Sequence, residues 1–222
     1  MNLWLFSSGD GDENESMDED LVSDIATTKP SYTFIPAHNI DADDYYDEFI
    51  ERFSAYDYAH FRILDPEAGF TRQELNLALQ SDMIYLSGGN TFHFLKYLRE
   101  TGLINDLRYY AQTGGLLAGH SAGAILMTPH IRMAAIPDFD RDDNDVGLED
   151  LSATRLVKFE FFPHYEDEEA YSQELLKASM YTNWPIYAAA DGCGLHVNKK
   201  GLRSYGDVWV FYRGEKFKIC AF

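Results

Sequence analysis

The sequence predicts an α/β fold: a mostly parallel sheet with helices on both faces, followed by antiparallel hairpins. Three observations predict it. Short apolar runs recur from the first residues onward, and stretches of helical spacing separate them, as a parallel sheet requires. Past residue 150 the apolar runs come close together with turn residues between them, which reads as hairpins added to that sheet.

Taken in order, Asn2 to Phe6 is a first strand, Tyr32 to Pro36 a second and Phe61 to Leu64 a third. Met83 to Leu86 is a fourth, and Leu116 to Ala118, leading into Gly119, a fifth. Between them, aromatics repeat at helical spacing over Asp44 to Tyr58, and Arg72 to Leu79 repeats more weakly. Val157, Phe159 and Phe161 alternate with Lys158 and Glu160, which predicts a half-buried strand running from Leu156. Ile186 to Ala190, Gly194 to Val197, Val208 to Tyr212 and Lys216 to Cys220 follow, with turns at residues 199–201 and 213–215. No linker or internal repeat interrupts the 222 residues, so residues 1–222 are expected to form one domain.

Composition narrows the function. Hydrophobic residues make up 45% and aromatics 15%, enough for a sizeable core. Eighteen Lys and Arg against 37 Asp and Glu give a net charge of −19, which argues against nucleic acid and anionic membranes as partners. The opening MNLWLFSSGDGDENE lacks the basic and apolar regions of a signal peptide, and the expected location is cytoplasmic. Cys193 and Cys220 form no CxxC pair and are read as free thiols. The acidic stretch Gly9 to Asp20 fails as an EF-hand, because the sixth and twelfth positions from Asp10 hold Glu15 and Leu21. It reads as a solvated loop entering an acidic first helical turn.

Gly119-His120-Ser121-Ala122-Gly123 matches G-x-S-x-G, the nucleophile elbow, in which small flanking residues let a serine sit on a sharp strand-to-helix turn. A chance match in a chain this long has a probability of roughly 0.07. The apolar GGLLAG before it and the helical AGAILM after it supply the context an elbow needs. The second feature is Ser87-Gly88-Gly89-Asn90-Thr91 at the end of the fourth strand, where glycines admit a ligand close to backbone N–H groups. Gly89 and Ala122 are the expected oxyanion donors, with Gly88 and Asn90 near the substrate. The structural alternative is a plain turn capped by Asn90 or Thr91.

His164, in Pro163-His164-Tyr165, ends a strand where open α/β sheets place their sites, and is the expected base, with Tyr165 near the substrate. His120 should point away from its neighbour Ser121, and His93 reads as a helix-surface residue. A base needs an orienting carboxylate. Asp191, preceded by five apolar residues, competes with Asp138 and Asp140 of the acidic loop, and expected burial favours Asp191. Nothing has metal-ligand spacing such as HExxH, so neither metal nor organic cofactor is expected.

The blocks DMIYLSGGNTFHFLKYL, GGLLAGHSAGA, FFPHY and AAADGCGL span about residues 82 to 195 in that order. Together they resemble the aspartyl dipeptidase (peptidase E) and cyanophycinase family of serine peptidases. The resemblance implies a flavodoxin-like, class I glutamine-amidotransferase-like sandwich in which serine replaces the elbow cysteine. It also implies a triad of Ser121, His164 and Asp191, oxyanion donors Gly89 and Ala122, and hydrolysis of short peptides through an acyl-enzyme. Two departures bear on it. The family's best-known members carry glutamate at the acid position, where this chain has the shorter Asp191. Its aspartyl dipeptidases look as though they read an acidic substrate with an arginine after the histidine. Here that segment is EDEEAYSQELLKAS, and Arg203 is the first arginine beyond His164, so strict preference for N-terminal aspartate is in doubt. Competing readings are a small-molecule esterase or amidase with the same triad, and a non-catalytic binding module of this fold. The chain is expected to work as a monomer or homodimer.

Overall fold

A computed structural model describes all residues except 10, 39, 41 and 220–222, and the side chains of 11 and 12 are likewise outside the description. Cys220 therefore lies outside the described residues, as does Asp10; Cys193 is free and buried. Strands β1 (Asn2–Phe6), β2 (Ser31–Ile35), β3 (His60–Ile63), β4 (Met83–Leu86) and β5 (Leu116–His120) form the parallel core of a sheet. Strands β8 (Gly194–Asn198) and β9 (Gly201–Tyr205) join it antiparallel, giving the order β3-β2-β4-β5-β1-β8-β9. The chain reverses its direction of winding between β2 and β4, so helices leave those strands on opposite faces and a crevice opens at their carboxyl ends.

Alternation along β1 shows how two cores arise. Leu3 and Leu5 face a core shared with α3 (Arg72–Ala78), α4 (Thr91–Glu100), α5 (Leu103–Gln112) and α6 (Ala122–Ile125). Trp4 and Phe6 face an aromatic core under α1 (Glu15–Ser23) and α2 (Ala42–Ser54). A strand buried on both faces must be apolar throughout, which is why NLWLF is a continuous run. The fold class is as the sequence predicts: mixed α/β, with a mostly parallel central sheet and antiparallel strands towards the C-terminus.

Several details differ from the sequence reading. Helix α2 stops at Ser54 rather than Tyr58, because Tyr56 packs on Phe53 from the turn (ring centroids 6.4 Å apart) and continues the aromatic repeat beyond the helix. Strand β9 was not anticipated, since its first three residues are exposed and carry no apolar run. With β8 it forms an unexpected hairpin that extends the main sheet, and of the strands that were expected past residue 150 only β8 joins that sheet. A second sheet of four strands takes the rest in the order β11-β10-β7-β6. These strands are β6 (Glu160–Phe162), β7 (Ile186–Ala189), β10 (Val208–Tyr212) and β11 (Glu215–Ile219). Within it β6 and β7 are parallel. The half-buried strand expected at 156–161 is instead a short, fully buried one. Phe161 faces the main core and Phe162 a third core under α7 (Glu169–Ser179), while Glu160, 2% exposed, meets His130 Nδ1 at 3.4 Å. Among the described residues no helix is long and apolar enough to cross a membrane.

Candidate active site

Ser121 follows β5 with φ 49° and ψ −109°, a conformation costing a non-glycine residue about 1–3 kcal/mol. The surroundings impose it. Its N–H donates to the Phe6 carbonyl at 3.0 Å, and its own carbonyl accepts from Ala124 and Ile125, both at 3.0 Å. The flanking glycines have a measurable reason to be glycine. A Cβ on Gly119 would stand 2.5 Å from the Gly123 carbonyl carbon, and one on Gly123 would collide with the Leu86 carbonyl oxygen. The turn is thus pressed against β4, and the Gly123 N–H donates to the Ser87 carbonyl at 3.0 Å.

The second sheet brings the other two groups. Because β6 and β7 run parallel, the residues just past their carboxyl ends, His164 and Asp191, emerge side by side. His164 Nδ1 lies 2.9 Å from Asp191 Oδ1, and His164 Nε2 lies 2.8 Å from Ser121 Oγ. The acidic loop takes no part in this chain of contacts. Asp138 is exposed and accepts from Arg141 at 2.8 Å, and Asp140 accepts from the Tyr171 hydroxyl at 2.6 Å. The expected burial of Asp191 is not found: its side chain is 58% exposed. The strand that leads to it is buried, but the turn carries the carboxylate out to the rim.

Sequence reasoning missed Ser7. Its side chain is fully buried just past β1, and its Oγ accepts from the His164 N–H at 2.7 Å while donating to the Ala189 carbonyl at 2.9 Å. The same oxygen stands 3.5 Å from Asp191 Oδ1. One hydroxyl thereby pins the main sheet to both strand ends of the second sheet. It could not be picked out beforehand, because a lone serine after a strand has no distinguishing spacing.

A cleft of about 770 Å³ opens in front of Ser121, and Gly88, Gly89, His120 and His164 line it. A Cβ on Gly88 would sit 3.1 Å from His120 Nδ1 and 3.7 Å from Ser121 Cβ, so glycine keeps this approach open. Gly89 has φ 125° and abuts Ala37. Ala122 is buried and opens α6, where a first-turn N–H has no intrahelical acceptor. The other two residues expected near substrate are committed elsewhere. Asn90 caps α4, its Oδ1 accepting from the His93 N–H at 2.9 Å, and its amide donates to the Asp143 carbonyl at 2.9 Å. Tyr165 is 2% exposed in the third core, with its hydroxyl 2.8 Å from Ser172 Oγ and its ring 5.0 Å from Trp209. It does not line the cleft, because the left-handed turn at His164 (φ 55°) past the end of β6 sends the Tyr165 ring into the third core.

His120 also departs from expectation, since it lines the same cleft as Ser121. Its Nε2 is buried without a hydrogen-bond partner among the described residues. Burial, together with the charges of Arg52 and His164, holds its pKa down to about 3, so the ring is neutral. Arg52 itself stands in the cleft wall. It donates to both carboxylate oxygens of Asp18, at 2.7 and 2.5 Å, and to the Tyr85 hydroxyl at 3.1 Å. Asp18 is therefore buried in an ion pair rather than part of a solvated turn. Burial pushes its carboxyl above the ordinary range while Arg52 pulls it back. Glu15, Glu48 and Glu51 add carboxylates to the same wall. Arg203 is elsewhere, bonded to Asp20 at 2.6 Å beside a separate cavity of about 290 Å³. His93, expected on a helix surface, is largely covered and stacks on His38 at 4.2 Å; with Glu67 these two form the one described group able to share a metal ion.

An α/β sheet with a strained serine at the carboxyl edge and an imidazole in reach has the architecture of a hydrolase, and the relatives specify which kind. The chain is 28% identical over 192 residues to the uncharacterized peptidase YgaJ of Bacillus subtilis, covering 83% of this chain and 76% of that one. It is 28% identical over 170 residues to peptidase E of Salmonella typhi, covering 70% and 66%. A crystal structure of a peptidase from an acI-B1 actinobacterium superposes with a TM-score of 0.76 at 18% identity, over 99% of this chain and 94% of that one, a likeness of fold. The class is a peptidase. More particularly, the chain belongs to peptidase family S51, whose model matches residues 3–205, and the resemblance carried by the four sequence blocks is borne out.

Proposed function

We propose that the chain is a serine peptidase that hydrolyses short peptides through an acyl-enzyme, with Ser121 as nucleophile, His164 as general base and Asp191 as the group that orients it. The observation that carries this reading is the continuous contact from Ser121 Oγ through His164 to Asp191, at 2.8 and 2.9 Å. His164 takes the Ser121 proton as Oγ attacks the scissile carbonyl, and returns it to the departing amine. Water then repeats the attack on the ester and releases the acid. Gly89 and Ala122 supply the N–H groups for the oxyanion. The strained backbone at Ser121 supports the reading, because it holds the hydroxyl forward with little further reorganisation.

The cleft also bears on the substrate. Its one described guanidinium, Arg52, is engaged with Asp18, and three further carboxylates line the wall. That surface gives an acidic residue no free cation to meet, so a strict requirement for N-terminal aspartate is not part of the proposal. The deciding experiment is a dipeptide-library screen with intact and Ser121→Ala protein. Turnover should fall a thousandfold or more in the variant with its circular dichroism unchanged; wild-type-like turnover there would end the reading. Hydrolysis of p-nitrophenyl esters without any dipeptide turnover would replace it by an esterase. Failure of a fluorophosphonate to label Ser121 would leave a binding module.

A further inference from the structure

His38, Glu67 and His93 come from three separate elements and meet at the carboxyl edge of the main sheet. His38 follows β2, Glu67 lies in the turn after β3, and His93 sits in the first turn of α4. Each offers a ligand atom, and those atoms lie within 4.8 Å of one another. We propose that these three side chains form a binding site for a single divalent transition-metal ion of the zinc type.

The two histidine–glutamate distances are longer than a charge-assisted hydrogen bond and close to the spacing of ligands around an ion. His38 Nδ1 is 3.7 Å from Glu67 Oε2, and His93 Nε2 is 3.7 Å from Glu67 Oε1. A charge-assisted hydrogen bond would draw nitrogen and oxygen to about 2.7–2.9 Å. A tetrahedral ion with bonds of about 2.0–2.1 Å spaces its ligands about 3.4 Å apart. The two histidines approach different oxygens of the Glu67 carboxylate, so an ion between them would bind both oxygens, or one of them after the carboxylate turns. The two imidazoles stack with centroids 4.2 Å apart and planes 16° from parallel. The ion is therefore taken up as the His38 ring, 32% exposed, turns out of the stack to aim its nitrogen at the point His93 and Glu67 face.

The surroundings aim the donor atoms. His93 Nδ1 stands 3.3 Å from the Ala37 carbonyl, and a proton donated there leaves the Nε2 lone pair facing Glu67. Such an outer hydrogen bond is the usual way a ligating imidazole is oriented. His38 Nδ1 accepts from the Ile40 N–H at 2.8 Å, so its lone pair already lies on the nitrogen that faces the carboxylate, and an ion would take that N–H's place. Asp65 Oδ1 accepts from the N–H groups of Glu67 and Ala68 at 2.8 and 3.0 Å, which fixes the turn presenting Glu67. Two neutral imidazoles and one carboxylate select zinc-like ions over calcium and magnesium, which prefer oxygen.

The site abuts the candidate active site without belonging to it. The Ala37 carbonyl holds His93, and a Cβ on Gly89 would stand 2.9 Å from Ala37 Cβ. An ion there would brace the segment against which the Gly89 turn rests.

The test is equilibrium dialysis of chelator-treated full chain against zinc chloride alone, which reads binding whether or not Ser121 is a nucleophile. One ion per chain is expected. His38→Ala, His93→Ala and Glu67→Gln should each weaken binding at least tenfold, while His60→Ala, at an exposed position in β3, should leave it unchanged. Zinc should also raise the thermal midpoint of wild type and of His60→Ala but not of the three variants, whose metal-free melts report whether they fold. No binding by wild type up to about 100 μM zinc would overturn the proposal. Unchanged stoichiometry and affinity in a folded His38→Ala/His93→Ala double variant would do the same.

Discussion

Ser7 shows how much a single buried hydroxyl can hold. Replacing it by alanine leaves the His164 N–H without its acceptor, at a cost of about 1–3 kcal/mol where it stays dry, while the Ala189 carbonyl keeps the Tyr165 N–H. Ser7→Ala is expected to lower kcat about tenfold with little change in KM, because the imidazole loses its support while the cleft wall is untouched; steady-state kinetics on one dipeptide would check the split. At Asp191 the expected outcome is sharper. Asp191→Asn should lower kcat/KM by a factor of about 100 to 10,000, and Asp138→Asn by less than twofold. The reverse ranking would return the role to the acidic loop. Sequence reasoning reached Asp191 by an argument from burial that the exposed side chain does not support. What favours the residue is the register of β6 and β7, which brings it beside His164.

The elbow is an element whose composition was legible because its constraint is local. Glycine at 119 and 123 follows from contact between the turn and β4, and small residues on either side of a serine announce that contact. Gly123→Ala is expected to cost about 2–3 kcal/mol through overpacking against the Leu86 carbonyl. Gly147→Ala, with φ 65° and no atom within 4 Å, should cost about 1 kcal/mol from the backbone conformation alone. Urea melts of the two variants would measure the difference, and equal losses would contradict the crowding at Gly123. Strands buried on both faces, such as β1 and β4, were also readable, since burial on both sides demands an unbroken apolar run. Strand β9 was not, because hydrogen bonding to β8 defines it rather than a buried face.

Across the whole molecule, stability on the acid side should carry the imprint of His120. Its pKa is held at about 3, against about 6.5 in an unfolded chain. Between those values the unfolded chain binds a proton that the folded chain refuses, so stability falls as pH drops below about 6.5, by up to about 1.4 kcal/mol per pH unit from this group. Above pH 6.5 the contribution is level. The expected result is a flatter melting profile between pH 6.5 and 4.5 for His120→Asn than for wild type. Identical slopes would mean that the ring is not kept neutral by its burial beside Arg52. The mirror-image case, Asp18, has a raised carboxyl and acts in the opposite direction, so the comparison of variant with wild type, rather than the wild-type curve, isolates His120.

The sequence by itself determined the α/β class, the family, the serine on its elbow and the glycines that make room for it. Each of these depends on neighbours in the chain or on a strand's own burial, and such constraints leave a contiguous trace. Tertiary structure alone decided that β6 and β7 leave the main sheet to form a second one, that Ser7 ties the two together and that Arg52 stands locked in the cleft wall. It also decided that His38, Glu67 and His93 meet. Those are contacts between residues tens of positions apart, chosen by packing and strand order, and no local pattern of residues encodes them.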